Sequence, residues 1–212
     1  MIFMAETYTQ MLFENNKSFD KFIQAIKQRL SVYPISYIHA EDYKPSAVSV
    51  LFVNINDEPY VFLTQRSNQV SHHKGQVAFP GGRVDDTDAN VLEAAIREVY
   101  EETGIPNEAI EYLGRFDDYL TTTKYHVACF IGIIKETINY KLSEFEVDGC
   151  FEVPFSIFAN KEYTSTEMGE LAGKPSIIYH YHYKDHHIWG LTARILTEFA
   201  VKIFDGNQNV SN

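Results

Sequence analysis

Apolar residues recur at helical spacing in three segments of the chain. Residues 18–30 carry an apolar residue at every third or fourth position, which predicts an amphipathic helix. A second helix is predicted over residues 89–103, with Asp88 as its N-cap and with Gly104 and Pro106 ending it. A third is predicted over residues 191–204. The stripe of the first helix consists of Phe19, Phe22, Ile23, Ile26 and Leu30.

Between these helices, short runs rich in β-branched and aromatic residues predict strands. Residues 47–53 and 60–64 flank the polar segment 54–59, which is the pattern of a hairpin. Because strands and helices interleave, we expect an α/β protein with a mixed sheet covered on both faces. The remaining predicted strands are residues 111–117, 126–134, 147–153 and 177–183.

The chain has 212 residues, 45% of them apolar, which fits one ordinary domain without internal repeats. We expect residues 1–45 to be an N-terminal extension whose helix packs on the main domain. The main domain is expected at residues 46–205, with a disordered tail at residues 206–212. No apolar stretch approaches the ~20 residues of a membrane span, and no secretory signal is recognisable. Because only Cys129 and Cys150 occur, two thiols in a cytoplasmic protein are favoured over a disulfide.

The net charge argues against nucleic acid as a partner. Eighteen basic residues against 29 acidic ones give a net charge of −11, and no cluster of Lys and Arg is present. A protein that binds a nucleic acid duplex normally presents a basic face. An acidic protein that handles a phosphorylated small molecule needs positive charge from another source, and a bound metal ion is the obvious one.

The second predicted helix carries the candidate chemistry. Glu98, Glu101 and Glu102 follow i, i+3, i+4 spacing and therefore form one acidic patch. A solvated acidic face would explain this patch by itself. Gly81 and Gly82 lie just ahead of the helix, however, and allow the backbone to approach closely. Hard carboxylate and carbonyl oxygens suit Mg²⁺ or Mn²⁺.

These residues resemble a known family motif. The sequence REVYEETGI at residues 97–105, preceded by FPGG at residues 79–82, is similar to the Nudix box, written G-x5-E-x7-R-E-U-x-E-E-x-G-U with U aliphatic. Fourteen residues lie between Gly82 and Arg97, one more than in that pattern. Ala89 therefore stands where the pattern expects Glu, with Asp88 as the nearest acid.

The longer spacing is similar to that of the coenzyme A diphosphatase branch of the Nudix family. That branch has L-L-T-x-R-S-x3-R-x3-G-x3-F-P-G-G upstream of the box. This chain reads FLTQRS at residues 62–67, then Ser71, Gly75 and FPGG at the same spacings, with Ser71 in place of the second arginine. The resemblance continues in SEFEV at residues 143–147 and in WGLTA at residues 189–193.

The resemblance implies a Nudix-type α/β/α sandwich whose box forms a loop–helix–loop. It also implies that the carboxylates of Glu98, Glu101 and Glu102 and the carbonyl of Gly81 bind the metal ion. Of these, Glu101 and Glu102 are expected to take part in catalysis. Residues with a structural role in the box would be Gly82, Arg97 and Gly104, with Arg97 orienting the glutamates by ion pairing. Glu146 matches the downstream acid that the family uses as a further ligand or base, and Glu144 is the rival.

Candidate substrate-binding residues lie in the upstream motif. Arg66 and Lys74 are its cations and could bind phosphate groups. His73 could donate a hydrogen bond to a phosphate, although an uninvolved loop histidine is an equal alternative. Ser71 stands where the branch has arginine, so its position is implicated in substrate choice.

The resemblance implies metal-dependent hydrolysis of a diphosphate linkage, with coenzyme A or an acyl-CoA as the first candidate substrate. The products would be 4′-phosphopantetheine and adenosine 3′,5′-bisphosphate. The alternatives are a Nudix pyrophosphatase acting on ADP-ribose, a nucleotide sugar or a dinucleoside polyphosphate, and a non-catalytic ligand-binding module. We expect a small-molecule partner, no nucleic acid and no membrane. A homodimer is left open.

A histidine-rich segment, HYHYKDHH at residues 180–187, resembles a zinc site at first sight. Alternation would place His180 and His182 on one face of a strand. Zinc sites need three or four converging ligands, and no CxxC motif supports one here. An aromatic strand with exposed histidines is therefore the favoured interpretation, and core packing is favoured for Trp189.

Overall fold

The computed structural model describes residues 18–68, 74–135, 140–143, 145–171 and 174–204. The helices are α1 (Phe19–Leu30), α2 (Val91–Thr103), α3 (Ser156–Ala159) and α4 (Gly190–Phe204). The strands are β1 (Lys44–Ile55), β2 (Glu58–Arg66), β3 (Val77–Ala78), β4 (Gly81–Arg83), β5 (Ile110–Leu120), β6 (Tyr125–Ile134), β7 (Val147–Pro154), β8 (Ser165–Leu171), β9 (Lys174–Tyr183) and β10 (His186–Trp189). A short 3-10 turn, Asn107–Ala109, precedes β5.

Seven strands form one mixed sheet, in the order β3-β2-β1-β6-β5, with β4 paired to β1 and β7 paired to β2. The pair β1 and β6 at the centre is parallel, and the other pairs are antiparallel. The predicted mixed sheet is therefore confirmed.

Helices cover both faces of this sheet. The side chains of strand β1 point alternately to the two faces. On one face, Val50 and Phe52 pack in a cluster with Phe22 of α1 and Phe199 of α4. Ala47 of the same strand faces the opposite way, and its cluster includes residues of helix α2. The arrangement is an α/β/α sandwich, as the sequence resemblance implied.

The predicted hairpin is present, with a tighter turn than expected. Strands β1 and β2 are joined at Asn56 and Asp57, whose φ angles are 54° and 66°, instead of by the whole segment 54–59. This left-handed pair fits the twist of a two-residue hairpin turn. Helix α1 begins against the same turn, because the main-chain N–H of Phe19 donates to the Asp57 carbonyl at 2.9 Å. Ser18 makes no side-chain capping bond of its own.

Strands β8, β9 and β10 form a second, three-stranded sheet, of which only β9 was predicted. Tyr181 of β9 and Ile188 of β10 are fully buried in the main core beside α4. The outer strand β8 reads STEMGEL and lacks apolar alternation, which explains why it was missed. Trp189 is 37% exposed, so the expectation that it packs in the core is wrong.

The two cysteines are both free thiols, as expected, with Cys129 buried and Cys150 half-buried. Among the helices of the described residues, none is long and apolar enough to cross a membrane. The proposed domain limits at residues 45 and 205 stay a prediction, and residues 1–17 and 205–212 lie outside the described part of the chain.

Candidate active site

A glycine pair brings the backbone of β4 directly against strand β1 and helix α2. Gly81 and Gly82 are opposite Val48 and Ala47 in the β4–β1 ladder. A β-carbon on Gly82 would lie 2.4 Å from the carboxyl carbon of Glu98. A β-carbon on Gly81, whose φ is 155°, would lie 2.3 Å from the Ala47 carbonyl oxygen. Glycine is thus required at position 81, where the clash is with backbone, and at position 82 it lets the Glu98 carboxylate lie against bare backbone.

Helix α2 begins later than the sequence predicted. Its N-cap is Asn90, whose Oδ1 accepts from the main-chain N–H groups of Leu92 at 2.9 Å and Glu93 at 3.1 Å. The prediction that Asp88 caps this helix is wrong. The Asp88 carboxylate instead accepts two hydrogen bonds from the Arg97 guanidinium, each 3.0 Å long.

Arg97 is the centre of an ion-pair network. Besides the two hydrogen bonds that Arg97 donates to Asp88, its Nη1 donates to Glu98 at 2.9 Å and to Glu101 at 2.8 Å. Its Nη2 also donates to the carbonyl of Arg83 at 2.9 Å, which fixes the loop ahead of the helix. These acidic partners raise the pKa of Arg97 above its ordinary value, with Asp88 the largest contributor. The guanidinium therefore fixes two of the three box glutamates.

Glu102 is the most deeply buried of the box carboxylates, with 3% of its surface exposed. Its Oε2 accepts a hydrogen bond from the Gly81 N–H at 3.3 Å. Burial raises the pKa of Glu102 to about 8, although the Arg66 charge opposes the shift, and the charges of Glu98 and Glu146 add to it. A buried carboxylate held in this way is better stabilised when a cation lies beside it.

Glu98 and Glu101 differ in exposure. The side chain of Glu98 is 16% exposed and that of Glu101 is 50% exposed. Burial raises the pKa of Glu98, Arg97 opposes the shift, and the charges of Glu101 and Glu146 contribute further to the rise. The four carboxylates thus interact as one group, with Glu101 at its exposed side. They are those of Glu98, Glu101, Glu102 and Glu146.

The upstream motif meets this group at Arg66, the last residue of β2. Its Nη1 lies 3.5 Å from Oε1 of Glu102. Its Nε is buried and has no hydrogen-bond partner among the residues that the structure describes. The main-chain N–H of Gly75 donates to the Arg66 carbonyl at 3.0 Å, which closes the motif loop onto this residue. Arg66 therefore presents an unused donor next to the carboxylates.

The other candidate substrate-binding residues are less well defined. Lys74 is exposed in the turn before Gly75. Ser71 and His73 fall within residues 69–73, outside the described part of the chain, so their proposed roles stay predictions.

The end of helix α2 holds the segment that carries Glu146. Gly104 ends the helix with φ 71° in the left-handed region, and the main-chain N–H of Lys141 donates to the Thr103 carbonyl at 2.9 Å. A β-carbon on Gly104 would lie 3.0 Å from the Lys141 carbonyl oxygen. The glycine thus allows the later segment to lie directly on the helix end.

Two further main-chain bonds place Glu146 beside the box. The N–H of Ser143 donates to the Glu102 carbonyl at 3.1 Å, and the N–H of Ser67 donates to the Glu146 carbonyl at 2.8 Å. Glu146 lies in a turn before β7, so strand alternation does not govern its direction. Its rival Glu144 lies outside the described residues. The structure therefore brings Glu146 to the group formed by Glu98 and Glu102.

Comparison with known proteins identifies this group. Residues 43–165 match the sequence profile of the NUDIX domain. The chain is 38% identical over 163 residues to an uncharacterized Nudix hydrolase, NudL, of Shigella boydii serotype 4, an alignment that covers 76% of this chain and 84% of that protein. A NudL of Escherichia coli O1:K1 is 37% identical over the same shares.

The chain belongs to the Nudix hydrolase family.

The fold has a further counterpart among solved structures. The crystal structure of DR0079 from Deinococcus radiodurans matches with a TM-score of 0.51, at 13% identity, over 80% of this chain and 88% of that one. At this identity the match supports the fold alone. The family itself makes the protein a hydrolase that acts on diphosphate bonds, with a small molecule as the fitting substrate.

Nudix hydrolases generally use divalent metal ions, and the residues of this site fit one. The carboxylate of Glu102 is buried, with Arg66 at 3.5 Å, and burial raises its pKa, so a cation beside it would stabilise its charge. A Gly82 β-carbon would obstruct Glu98. Within the described residues, no group of three or more His, Cys, Asp and Glu side chains is already arranged around a metal position. Glu98 and Glu101 are instead hydrogen-bonded to Arg97.

The histidine segment is separate from this site. His180 Nδ1 lies 3.0 Å from His187 Nε2, and the rings of His182 and His187 stack at 4.5 Å on the second sheet. His182 Nδ1 is 2.9 Å from the Thr164 hydroxyl, so its ring is engaged elsewhere. The three rings are a cross-strand stack, which agrees with the interpretation of an aromatic strand with polar histidines.

Sequence reasoning missed Asp88 as the partner of Arg97. The available signal was the missing glutamate of the box, since Ala89 occupies that position and Asp88 is the adjacent acid. The side chain of Asp88 is 5% exposed, and the hydrogen bonds from Arg97 lower its pKa. The acid beside the expected position therefore makes the bond that orients the arginine.

Proposed function

We propose that this Nudix hydrolase cleaves the diphosphate of coenzyme A or an acyl-CoA, giving 4′-phosphopantetheine and adenosine 3′,5′-bisphosphate. The observation that carries the proposal is the contact between its two motifs. Arg66, from the upstream motif, lies 3.5 Å from Glu102 of the box, and Gly81 donates to the same carboxylate. The segment similar to the coenzyme A branch thus borders the box carboxylates directly.

The proposed metal ligands are the carboxylates of Glu98, Glu101 and Glu102 with the carbonyl of Gly81. Oxygen ligands of this kind select Mg²⁺ or Mn²⁺. Such an ion, when bound, neutralises charge on the diphosphate oxygens and makes water more acidic. Arg97 keeps the glutamates in place through its own ion pairs.

The protein groups then have distinct tasks. Glu146 takes the proton from the attacking water, as a general base. Arg66 donates from its terminal guanidinium nitrogens to the phosphoryl oxygens, which adds positive charge beside the carboxylates. The water displaces one phosphoryl group in line, so no covalent enzyme intermediate is needed. Gly82 and Gly104 act through the backbone by allowing the close approaches described above.

A second candidate substrate class is ADP-ribose, a nucleotide sugar or a dinucleoside polyphosphate. Ser71 favours this alternative, because the coenzyme A branch has arginine at that position. The non-catalytic alternative is disfavoured, because all three box glutamates are present.

The deciding experiment is a substrate panel. The purified protein is incubated with Mg²⁺ and coenzyme A, acetyl-CoA, ADP-ribose, a nucleotide sugar and a dinucleoside polyphosphate, and the products are identified by mass. We expect the highest kcat/KM for coenzyme A or acetyl-CoA. Hydrolysis of ADP-ribose without hydrolysis of coenzyme A or acetyl-CoA would contradict the proposal and favour the second substrate class.

Ser71→Arg refines this experiment. A charge-assisted hydrogen bond contributes roughly 1.5–3 kcal/mol, or about 10- to 150-fold in affinity. We expect the variant to raise kcat/KM for coenzyme A, which carries an additional 3′-phosphate. The kcat/KM for ADP-ribose should stay nearly unchanged. The same effect on both substrates would mean that the position only braces the loop.

A further inference from the structure

An exposed aromatic residue immediately precedes Glu146 in the chain. Phe145 is 75% exposed and lies in the turn immediately before Glu146. Single exposed hydrophobic residues are common on protein surfaces, so exposure alone carries no conclusion. The position of this residue and the way its backbone is held are what distinguish it.

The turn around Phe145 is fixed on both sides. Before it, the N–H of Ser143 donates to the Glu102 carbonyl at 3.1 Å, and the Ser143 carbonyl accepts from Glu146 at 3.0 Å. After it, the Glu146 carbonyl accepts from the Ser67 N–H at 2.8 Å, and Val147 is buried. The turn is therefore anchored to the end of the box helix and to the end of β2. The exposure of the ring does not come from an unattached loop.

The other large exposed apolar side chains are elsewhere. Tyr100 is on helix α2, but at ~100° per residue it projects on the side opposite Glu98 and Glu102. The rest lie in the segment after α1, in the second sheet, or just before the first strand of that sheet: Val32, Tyr37, Tyr163, Met168, Ile177 and Trp189. Two exposed aromatic residues of the described chain thus directly precede a site carboxylate, and Phe145 is the one that is not turned away from Glu98 and Glu102 by a helix.

The chemistry of the site gives this ring a use. The carboxylates can bind a metal ion, and Arg66, which lies against Glu102, can bind the charged diphosphate, so both are assigned to the charged half of the substrate rather than to its uncharged, flat heterocycle. An exposed phenyl ring offers a surface for the heterocycle, because bases stack on aromatic side chains without needing hydrogen bonds. We propose that Phe145 is a substrate-binding residue on which the purine base of the substrate's nucleotide half stacks. The inference rests on the proposed hydrolysis of a nucleotide diphosphate and is the same for coenzyme A and for ADP-ribose.

Fluorescence tests this stacking without depending on turnover. The chain has one tryptophan, so Phe145→Trp in a Trp189→Phe background carries a single indole at the position of interest. With Mg²⁺ present, we expect saturable quenching by ADP and none by inorganic pyrophosphate, which has the diphosphate without the base. Tyr100→Trp in the same background is the matched control and should respond to neither ligand.

Two results would overturn the proposal. Absence of quenching by millimolar ADP would show that no base reaches this position. Equal quenching by pyrophosphate would show that the indole senses the diphosphate.

Steady-state kinetics provides the second test, with any adenine-containing substrate that the panel identifies. We expect Phe145→Ala to raise KM about tenfold, as the loss of one stacking contact does, with kcat within about twofold. Phe145→Tyr should restore KM, whereas Phe145→Leu, which is apolar but not aromatic, should not. A lowered kcat or melting temperature with unchanged KM would mean that Phe145 braces the turn. Failure of the coenzyme A proposal alone would leave these results intact, because ADP-ribose carries the same base.

Discussion

At the scale of single residues, the site is defined by the unequal environments of its carboxylates. Glu102 is buried and bonded to a glycine N–H, Glu98 is largely buried against Gly82, and Glu101 remains exposed. A helical wheel shows these residues as one polar patch and cannot show which of them is enclosed. The enclosure comes from β4, which precedes the helix, and from the segment after residue 140, which is distant from it in sequence.

Glu102→Gln tests the metal-binding role of the box. The substitution keeps the size and the ability to accept from Gly81 but removes the charge. We expect turnover in Mg²⁺ to fall roughly 10²-fold or more, because a lost charged ligand removes several kcal/mol of charge stabilisation. The folded state should be at least as stable, because burial disfavours the charge of Glu102 and repulsion from Glu98 and Glu146 is relieved, which together outweigh the lost attraction of Arg66.

Urea denaturation and steady-state kinetics measure the two effects. Glu93→Gln is the matched control, because Glu93 is exposed in the first turn of the same helix, and it should leave turnover unchanged. Near-normal activity of Glu102→Gln would contradict the assignment.

Glu146→Gln tests the proposed general base. We expect a far larger loss of kcat than from Glu144→Gln, together with a flattened acidic limb of the pH–rate profile. The physical reason is placement, since the charge of Glu146 acts on both Glu98 and Glu102. Equal and mild losses from the two variants would show that water is activated by another group.

At the scale of elements, the glycine pair and the two ends of helix α2 do most to position the site. The N-cap at Asn90 fixes where the helix begins, so it also fixes the rotation at which the glutamates face β4. Asp88, two residues earlier, is thereby free to hold Arg97.

Asn90→Ala should lower the free energy of unfolding by about 1 kcal/mol, since two main-chain N–H groups lose their acceptor. Asn90→Asp preserves the acceptor and is expected to be neutral within error. Urea denaturation of the three proteins gives the comparison. Equal stability of Asn90→Ala and the wild type would show that Asn90 does not stabilise the helix as its N-cap.

Much of the fold could be predicted from the sequence, because most elements have strong apolar periodicity. The helix at residues 18–30 and the strands at residues 126–134 and 147–153 agree closely with α1, β6 and β7. Short strands such as β4 could not be predicted, because Gly81 and Gly82 have no side-chain pattern. The N-cap was misplaced because the partner of Asp88 is Arg97, a contact that local preference does not encode.

The candidate site was predictable as far as the motifs extend. Glu98, Glu101, Glu102 and Arg66 were singled out by spacing and resemblance. Their relative burial, and the bond from Gly81 to Glu102, depend on tertiary packing and could not be predicted.

At the scale of the whole molecule, a second charged network ties the segment after α1 to the body of the protein. Lys202 of α4 donates to Asp117 at 2.8 Å and to Glu198 at 3.1 Å. Asp117 also accepts from the Tyr33 hydroxyl at 2.8 Å and from the Ser36 N–H at 2.7 Å. Helix α4, strand β5 and residues 33–36 are therefore joined through one buried carboxylate.

This network predicts a pH dependence of stability. Burial acts to raise the pKa of Glu198, but the charges of Arg194 and Lys202 outweigh it and hold the pKa below its ordinary value. A carboxyl group with a lowered pKa in the folded state stabilises the protein above its unfolded pKa. That contribution is lost as the pH falls through the folded pKa, so stability should decline below about pH 4.5.

Lys202→Met should lower the free energy of unfolding at neutral pH by roughly 1–3 kcal/mol, because the carboxylates of Asp117 and Glu198 lose the cation that they share, while their other hydrogen bonds remain. The decline in acid should also be smaller than in the wild type, because without Lys202 the folded pKa of Glu198 lies closer to its unfolded value. Lys27→Met is the control, since the Lys27–Glu111 pair is about half exposed and contributes little. Urea denaturation between pH 3 and 8 measures both effects, and identical losses in the two variants would show that the network is not stabilising.

The start of helix α1 has a consequence for the order in which the chain matures. The acceptors for the Phe19 N–H are the carbonyl and the carboxylate of Asp57, and Asp57 is made 38 residues later during synthesis. Helix α1 is therefore incomplete at its beginning until the β1–β2 hairpin has been translated and has closed. Isolated helices of this length are marginal in water. A nascent chain that ends before residue 57 thus holds this segment as an unfinished helix, and the hairpin turn completes it.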